Sequence, residues 1–178
     1  LAVLDFSKGQ QREPAYQTVN PKGRVPALIT EDGVLTETPA ILVYIAQRSG
    51  PGSMIGANEP YAFAKIQELN SYLASTVHVA HAHRFRGARW TDDPHALEAM
   101  TKKVPETMAA AVSLIEEHFF VGPWVTGDAY TICDPYLFTL CSWLEGDGVD
   151  TQAFPKLLAH REKMLSRPAT QAALKRLG

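Results

Sequence analysis

A small α/β unit followed by an all-helical domain is the fold class this chain predicts, on three observations. Short extended runs separated by turns fill residues 1–48. A stretch rich in Gly and Pro, 49–59, breaks the pattern and reads as an interdomain linker. From 60 to 178 apolar residues recur at helical spacing. At 178 residues, 46% hydrophobic and 20% charged, the chain has the composition of a packed globule rather than a disordered one.

The elements follow in order. Leu1–Leu4 is apolar throughout and reads as a buried strand. Asp5 to Asn20 is polar, with room for one helical turn around Pro14–Thr18. Asn20-Pro21-Lys22-Gly23 signals a turn, and Val25–Ile29 a second strand. Glu31-Asp32-Gly33 reverses the chain into Val34-Leu35-Thr36, an antiparallel hairpin with Gly where positive φ is needed. From Pro39 the period becomes helical through Ile41, Leu42, Ile45 and Ala46. Beyond the linker, Tyr61–Arg86 repeats apolar residues at Phe63, Ile66, Leu69, Tyr72, Leu73 and Val77, a helix of about seven turns. Asp92-Asp93-Pro94 opens another that runs to Phe120 and that Pro105 must kink or split. Leu137–Leu144, Phe154–Ser166 and Pro168–Leu177 supply three more.

Seventeen basic side chains against 19 acidic ones give a formal net charge of -2. No whole-chain field is available to hold nucleic acid or anionic lipid, and neither is expected as a partner. No apolar run approaches the ~20 residues of a membrane span, and no secretory signal is visible. The chain opens without Met and already inside an apolar run, so an upstream segment is expected. Cys133 and Cys141 lie eight apart in a helical segment, hence about 12 Å apart, too far for a disulfide. Two such thiols fit a reducing cytoplasm, and each reads first as a small buried hydrophobe.

The strongest local signal is Asn20-Pro21-Lys22-Gly23-Arg24-Val25-Pro26-Ala27-Leu28. A Pro inside a strand weakens it. Two geometries answer this: an edge strand with trans Pro26, or a cis Val25–Pro26 bond that turns the Val25 N–H and C=O outward to pair with an extended peptide. Eleven residues after Val25 comes Thr36-Glu37-Thr38-Pro39, ending the hairpin and starting a helix. Thr38 suits N-capping, the helix start favours a carboxylate, and Glu37 suits a substrate ammonium. The plainer reading is ordinary capping with Glu37 in water.

Together these residues resemble the glutathione-binding half of the cytosolic glutathione transferases. The order strand, Val-Pro, hairpin, Glu-Thr, helix, linker, helical domain is similar to that family over nearly all of the chain. In the helical part, Gly127-Asp128-Ala129-Tyr130-Thr131-Ile132-Cys133-Asp134 looks like the family's buried capping box, with Thr131 capping and Asp134 returning a bond to the Thr131 N–H. Pro135 departs from an ideal first turn. The bacterial beta class is the closest likeness, through Leu69-Asn70-Ser71-Tyr72-Leu73-Ala74-Ser75-Thr76-Val77-His78.

The resemblance implies a thioredoxin-like N-terminal domain, incomplete because its first strand and helix would precede Leu1, and an all-helical C-terminal domain. It implies glutathione as co-substrate and no metal. Val25, beside Pro26, would pair its backbone with the cysteinyl unit. Glu37 and Thr38 would hold the γ-glutamyl amino and carboxylate groups. Arg24 would reach the glycyl end, and Lys8 matches a carboxylate-binding lysine after a one-residue gap. His78 would contact the cysteinyl end, with Ser75 and Ser71 nearby, although that class often has Asn where Ser71 falls. A homodimer working in cytoplasmic detoxification is also implied.

His78 has two competing readings, metal binding and a solvated histidine-rich face. His78 and His81 share a face, but His83 is rotated by roughly 140°, and no acid or thiol completes a ligand set. Phe85 and Trp90, interleaved with Arg84, Arg86 and Arg89, either form a solvated helix end or edge an apolar substrate pocket.

Glutathione must react as thiolate, and a free thiol near pKa 8.5 is only a few per cent ionised at neutral pH. Lowering that by ~2 units needs about 2.7 kcal/mol. Family members obtain it from Ser, Tyr or Cys on a turn expected upstream of Leu1, with His78 at most an accessory. The implied activity is conjugation of glutathione to hydrophobic electrophiles. Alternatives are a glutathione-dependent isomerase, dehalogenase or disulfide reductase, or a non-catalytic module that binds ligands or proteins.

Overall fold

In the computed structural model, residues 1–50, 54, 55 and 59–177 are described. The expected linker at 49–59 falls partly, at 51–53 and 56–58, outside the described residues. The order is α1 (Pro14–Gln17), β1 (Ala27–Thr30), β2 (Gly33–Thr36), α2 (Thr38–Arg48), α3 (Pro60–Tyr72), α4 (His78–Phe85), α5 (Pro94–Leu114), α6 (Cys133–Cys141), α7 (Pro155–Leu165) and α8 (Pro168–Leu177).

The hairpin forms in the expected register. Ala27 faces Thr36 and Leu28 faces Leu35, closing at Thr30 and Gly33 around Glu31-Asp32. Gly33 adopts φ 136, open to glycine and rarely to other residues. Leu1–Leu4 does not form the expected strand. A strand needs a neighbour for its N–H and C=O groups, and among the described residues none runs beside it. Leu1 and Val3 are correspondingly 92% and 73% exposed rather than buried.

The core lies in the helical part, where three stripes interlock. Leu69, Leu73 and Val77 come from the α3–α4 rod, Val104, Met108 and Val112 from α5, and Cys133, Leu137 and Leu140 from α6. Each stripe repeats at i, i+4 or i+3, which keeps its residues on one helical face. All nine are fully buried, and a buried Leu, Val or Met side chain contributes roughly 1.5–3 kcal/mol. Met54 and Ile55 also dock on this core, and the Ile132 N–H donates to the Met54 carbonyl at 2.9 Å.

Two helices depart from the expected regularity. The long rod from Pro60 to Phe85 is interrupted by a π-helical turn at Leu73–Val77, immediately before His78. The helix from Pro94 runs unbroken past Pro105 to Leu114 and ends in a second π-helical turn, Ile115–Phe119, so Pro105 does not split it. The Pro105 ring abuts Gly148, where a Cβ would lie 3.3 Å from Pro105 Cγ. Tertiary packing of that kind holds a proline in a helix that local propensity would end.

Candidate functional site

A cavity of about 600 Å³ opens between the hairpin side and the helical core. One wall is the turn before β1. The buried Asn20 amide donates to the Arg24 carbonyl at 2.6 Å, and the Tyr16 hydroxyl donates to the same oxygen at 2.7 Å. Those two bonds fix the backbone leading into Val25. The Val25–Pro26 peptide bond is cis, deciding between the two geometries open to it. Among the described residues nothing engages the Val25 N–H or C=O.

A second wall is the start of α2. Glu37, not Thr38, occupies the cap position, at φ 71, and no side chain caps the helix. The plain capping role expected of Thr38 is therefore absent, and Thr38 is the first helical residue. Its N–H and that of Ala40 stay available, because the first-turn donors of a helix have no partner within it. The Glu37 carboxylate accepts from Lys22 Nζ at 2.5 Å, and Lys22 Nζ also donates to Thr36 Oγ1 at 2.6 Å. Both groups are substantially exposed, so this pair is a weak restraint.

The floor comes from the stripe Ala74, His78 and Ala82, at i, i+4 and i+8 along the π-helical turn and α4, and from Tyr136, Thr139 and Trp143 of α6 and just beyond it. His78 lies with its ring centroid 5.4 Å from that of Trp143. His78 is exposed at the cavity surface, yet partial desolvation of its ring lowers its pKa, and His81, Arg86, Arg89 and Arg24 lower it further, which favours the neutral imidazole at pH 7. Burial, with the Glu37 carboxylate adding to it, pushes the Tyr136 hydroxyl up to about 12. Tyr136 therefore keeps its proton and can donate a hydrogen bond at any physiological pH.

His81 is held elsewhere. Its Nδ1 lies 2.7 Å from Asp147 Oδ2, Arg84 Nη1 donates to the other oxygen of the buried Asp147 at 3.2 Å, and the ring stacks on Trp143 at 4.2 Å. His83 meets the edge of Trp90 at 4.5 Å. His78 and His81 thus share Trp143 while His83 meets Trp90, and among the described residues no group of three or more His, Cys, Asp or Glu could hold a metal ion.

Of the residues singled out in the sequence, Arg24, Val25, Pro26, Glu37, Thr38 and His78 all line this one cavity. Lys8, Ser71 and Ser75 do not. Lys8 is exposed and paired with Asp5 at 3.2 Å. Ser71 and Ser75 are exposed on the rod, Ser71 a turn before the cavity stripe and Ser75 one position round from it. Trp90 lines the cavity as a pocket edge, while Phe85 borders a smaller one beside it. Tyr136, Thr139 and Trp143 went unread, although their i, i+3, i+7 spacing marks one helical face. The arrangement joins peptide-like recognition groups on the hairpin side to an aromatic, basic compartment on the helical side.

A sequence model of the glutathione S-transferase N-terminal domain matches residues 2–47, and one of the glutathione S-transferase C-terminal domain matches residues 52–168. The chain belongs to the glutathione S-transferase family. It is 30% identical over 176 residues to glutathione S-transferase GstA of Escherichia coli O157:H7, covering 98% of this chain and 84% of that one. Among solved structures it is similar to a glutathione transferase homologue from Sulfitobacter with bound glutathione. The identity there is 45% and the TM-score 0.92, over 97% of this chain and 83% of that one. A bacterial beta class glutathione S-transferase from Sphingomonas chungbukensis superposes with TM-score 0.79 at 27% identity, over 92% and 78% of the two chains. The α/β plus all-helical class and the beta-class likeness read from the sequence therefore stand. Among the described residues no helix of this family member is long and apolar enough to cross a membrane.

Proposed function

We propose that this glutathione transferase joins the glutathione thiolate to hydrophobic electrophiles, with glutathione in the cavity between hairpin and helices. The observation that carries the reading is that six residues scattered from 24 to 78 in sequence line a single cavity with complementary chemistry. Glu37 takes the γ-glutamyl ammonium, and the uncapped start of α2 at Thr38 takes the adjoining carboxylate. Val25 offers an unengaged N–H and C=O to the cysteinyl unit, as an added strand would. Arg24 takes the glycyl carboxylate. His78, neutral and beside the cysteinyl end, donates or accepts one hydrogen bond without carrying charge. The electrophile lies against Trp90 and Trp143. The sulfur then attacks its carbon, the C–S bond forms and the leaving group departs with the bonding electrons.

Lys8, Ser71 and Ser75 enter this reading only as outlying contacts, since none lines the cavity. The domain division at 49–59, a homodimeric assembly, a cytoplasmic setting and a role in detoxification belong to the same proposal. Two cysteines that are free and buried support the reducing setting. Burial pushes both thiols up to about 12, so neither supplies a nucleophile.

Incubation of the protein with glutathione and an activated neutral aryl chloride, followed by mass spectrometry, tests the reaction. Thioether formation above the uncatalysed rate is expected. A rate equal to that of glutathione alone contradicts transferase activity and favours a module that binds without turnover.

A further inference from the structure

The cavity is charged in the opposite sense to the chain. The sequence carries more acids than bases, yet Arg24, Arg86 and Arg89 line the cavity. Among the described residues Glu37 is the sole carboxylate in that lining, and Lys22 already faces it. No described carboxylate pairs with Arg24, Arg86 or Arg89. With glutathione seated as above, its ammonium meets Glu37, one carboxylate meets α2 and the other meets Arg24. Arg86 and Arg89 remain unmatched.

These two arginines are arranged as a pair. Arg86 precedes and Arg89 ends a short 3₁₀ turn, Gly87–Arg89, in which the Arg89 N–H donates to the Arg86 carbonyl at 3.0 Å. Both side chains border the main cavity, so the turn delivers them to the same wall. Gly87 is buried against α5, where a Cβ would lie 2.8 Å from Leu97 Cδ2, and this close approach seats the turn. The same two arginines line a smaller neighbouring cavity of about 170 Å³ together with Arg12. Guanidiniums gathered without an acid repel one another, and a ligand anion relieves that repulsion. Burial and then Arg24, Arg86 and Arg12 already disfavour the charged form of Arg89.

We propose that the electrophile compartment selects an anionic substrate, an aromatic electrophile bearing a carboxylate that Arg86 and Arg89 grip while its ring lies against Trp90 and Trp143. This deepens the transferase reading and rests on it. Guanidinium forks suit carboxylates because they donate two parallel hydrogen bonds. In the corresponding reaction the C–S bond forms at the ring carbon, the C–Cl bond breaks, chloride leaves with the electron pair and the thiol proton passes to solvent.

The probes are 3,5-dinitrobenzoate and its methyl ester for binding, and 4-chloro-3,5-dinitrobenzoate and its methyl ester for conjugation. Binding is read by quenching of tryptophan fluorescence in the full chain. The acid is expected to bind roughly tenfold more tightly than the ester, with the preference eroding as salt screens it. Arg86→Ala and Arg89→Ala should each remove most of that acid-to-ester ratio. Arg86→Lys and Arg89→Lys, which keep the charge, should retain part of it and guard against misfolded variants. Equal affinity for acid and ester, or a ratio indifferent to salt and to all four variants, overturns the proposal. So does loss of conjugation in equal proportion for acid and ester, which would place the arginines on the thiolate instead. A surviving binding preference with no conjugation of either chloride supports the anion site and contradicts the transferase reading alone.

Discussion

Glu37 sits at φ 71, where residues with a Cβ are uncommon, and the strain of such a position is of order 1–3 kcal/mol. Its place was legible because everything that sets it is local: the hairpin ends at Thr36, the helix begins at Thr38-Pro39, and the one residue between them must turn. The cis Val25–Pro26 bond was half legible, since a proline at a strand entrance admits two geometries. Just before it, the Arg24 carbonyl accepts from the Asn20 amide and the Tyr16 hydroxyl, two contacts that the spacing of hydrophobic residues does not announce. His78 carries the residue-scale prediction. Its folded pKa lies below 6.5, while the unfolded imidazole titrates near 6.5. Below that pH the unfolded chain takes up the proton more readily, so the stability tied to neutral His78 is full above about 6.5 and is lost as pH falls through the depressed folded value. Urea unfolding at about pH 7.5 and about pH 5 should show His78→Asn losing less stability than the parent. Identical pH dependence in both proteins would refute that reading of the site.

At the scale of elements, the start of α6 shows how far a motif can be read. Asp134 returns its expected bond, accepting from the Thr131 N–H at 2.7 Å. The reciprocal half differs, because the Asp134 N–H goes to the Thr131 carbonyl rather than to its hydroxyl. The other Asp134 oxygen accepts from the Val125 N–H at 3.0 Å and lies 3.1 Å from His160 Nε2. Those last two partners come from elsewhere in the fold, and no local spacing announces them. Fully buried, Asp134 thus ties the 121–130 loop, α6 and α7 together. Asp134→Ala would leave these donors unmatched and should cost about 3–5 kcal/mol, with Asp134→Asn costing less. Denaturant midpoints check this, and a loss below about 1 kcal/mol would show that the network is not what joins these elements. The π-helical turn before His78 and the unbroken α5 across Pro105 were not legible, because packing against other helices decides both. Leu1–Leu4 failed as a strand for the matching reason: strand formation depends on a neighbour that the segment itself does not encode.

At the scale of the whole molecule, one cavity joins the hairpin side, which carries the proposed peptide-recognition groups, to an aromatic, basic compartment on the helical side. The hairpin side was readable because the backbone geometry is written in short motifs. The helical side was readable only in part, at His78 and Trp90, because Tyr136 and Trp143 converge on them only after α4 and α6 pack. Calorimetric titration of glutathione into the protein and into Glu37→Ala tests the central claim most directly. One saturable site per chain is predicted, weakened at least roughly tenfold, or about 1.4 kcal/mol, in a variant of unchanged helicity. Absence of saturable binding, or equal affinity in the variant, would contradict it.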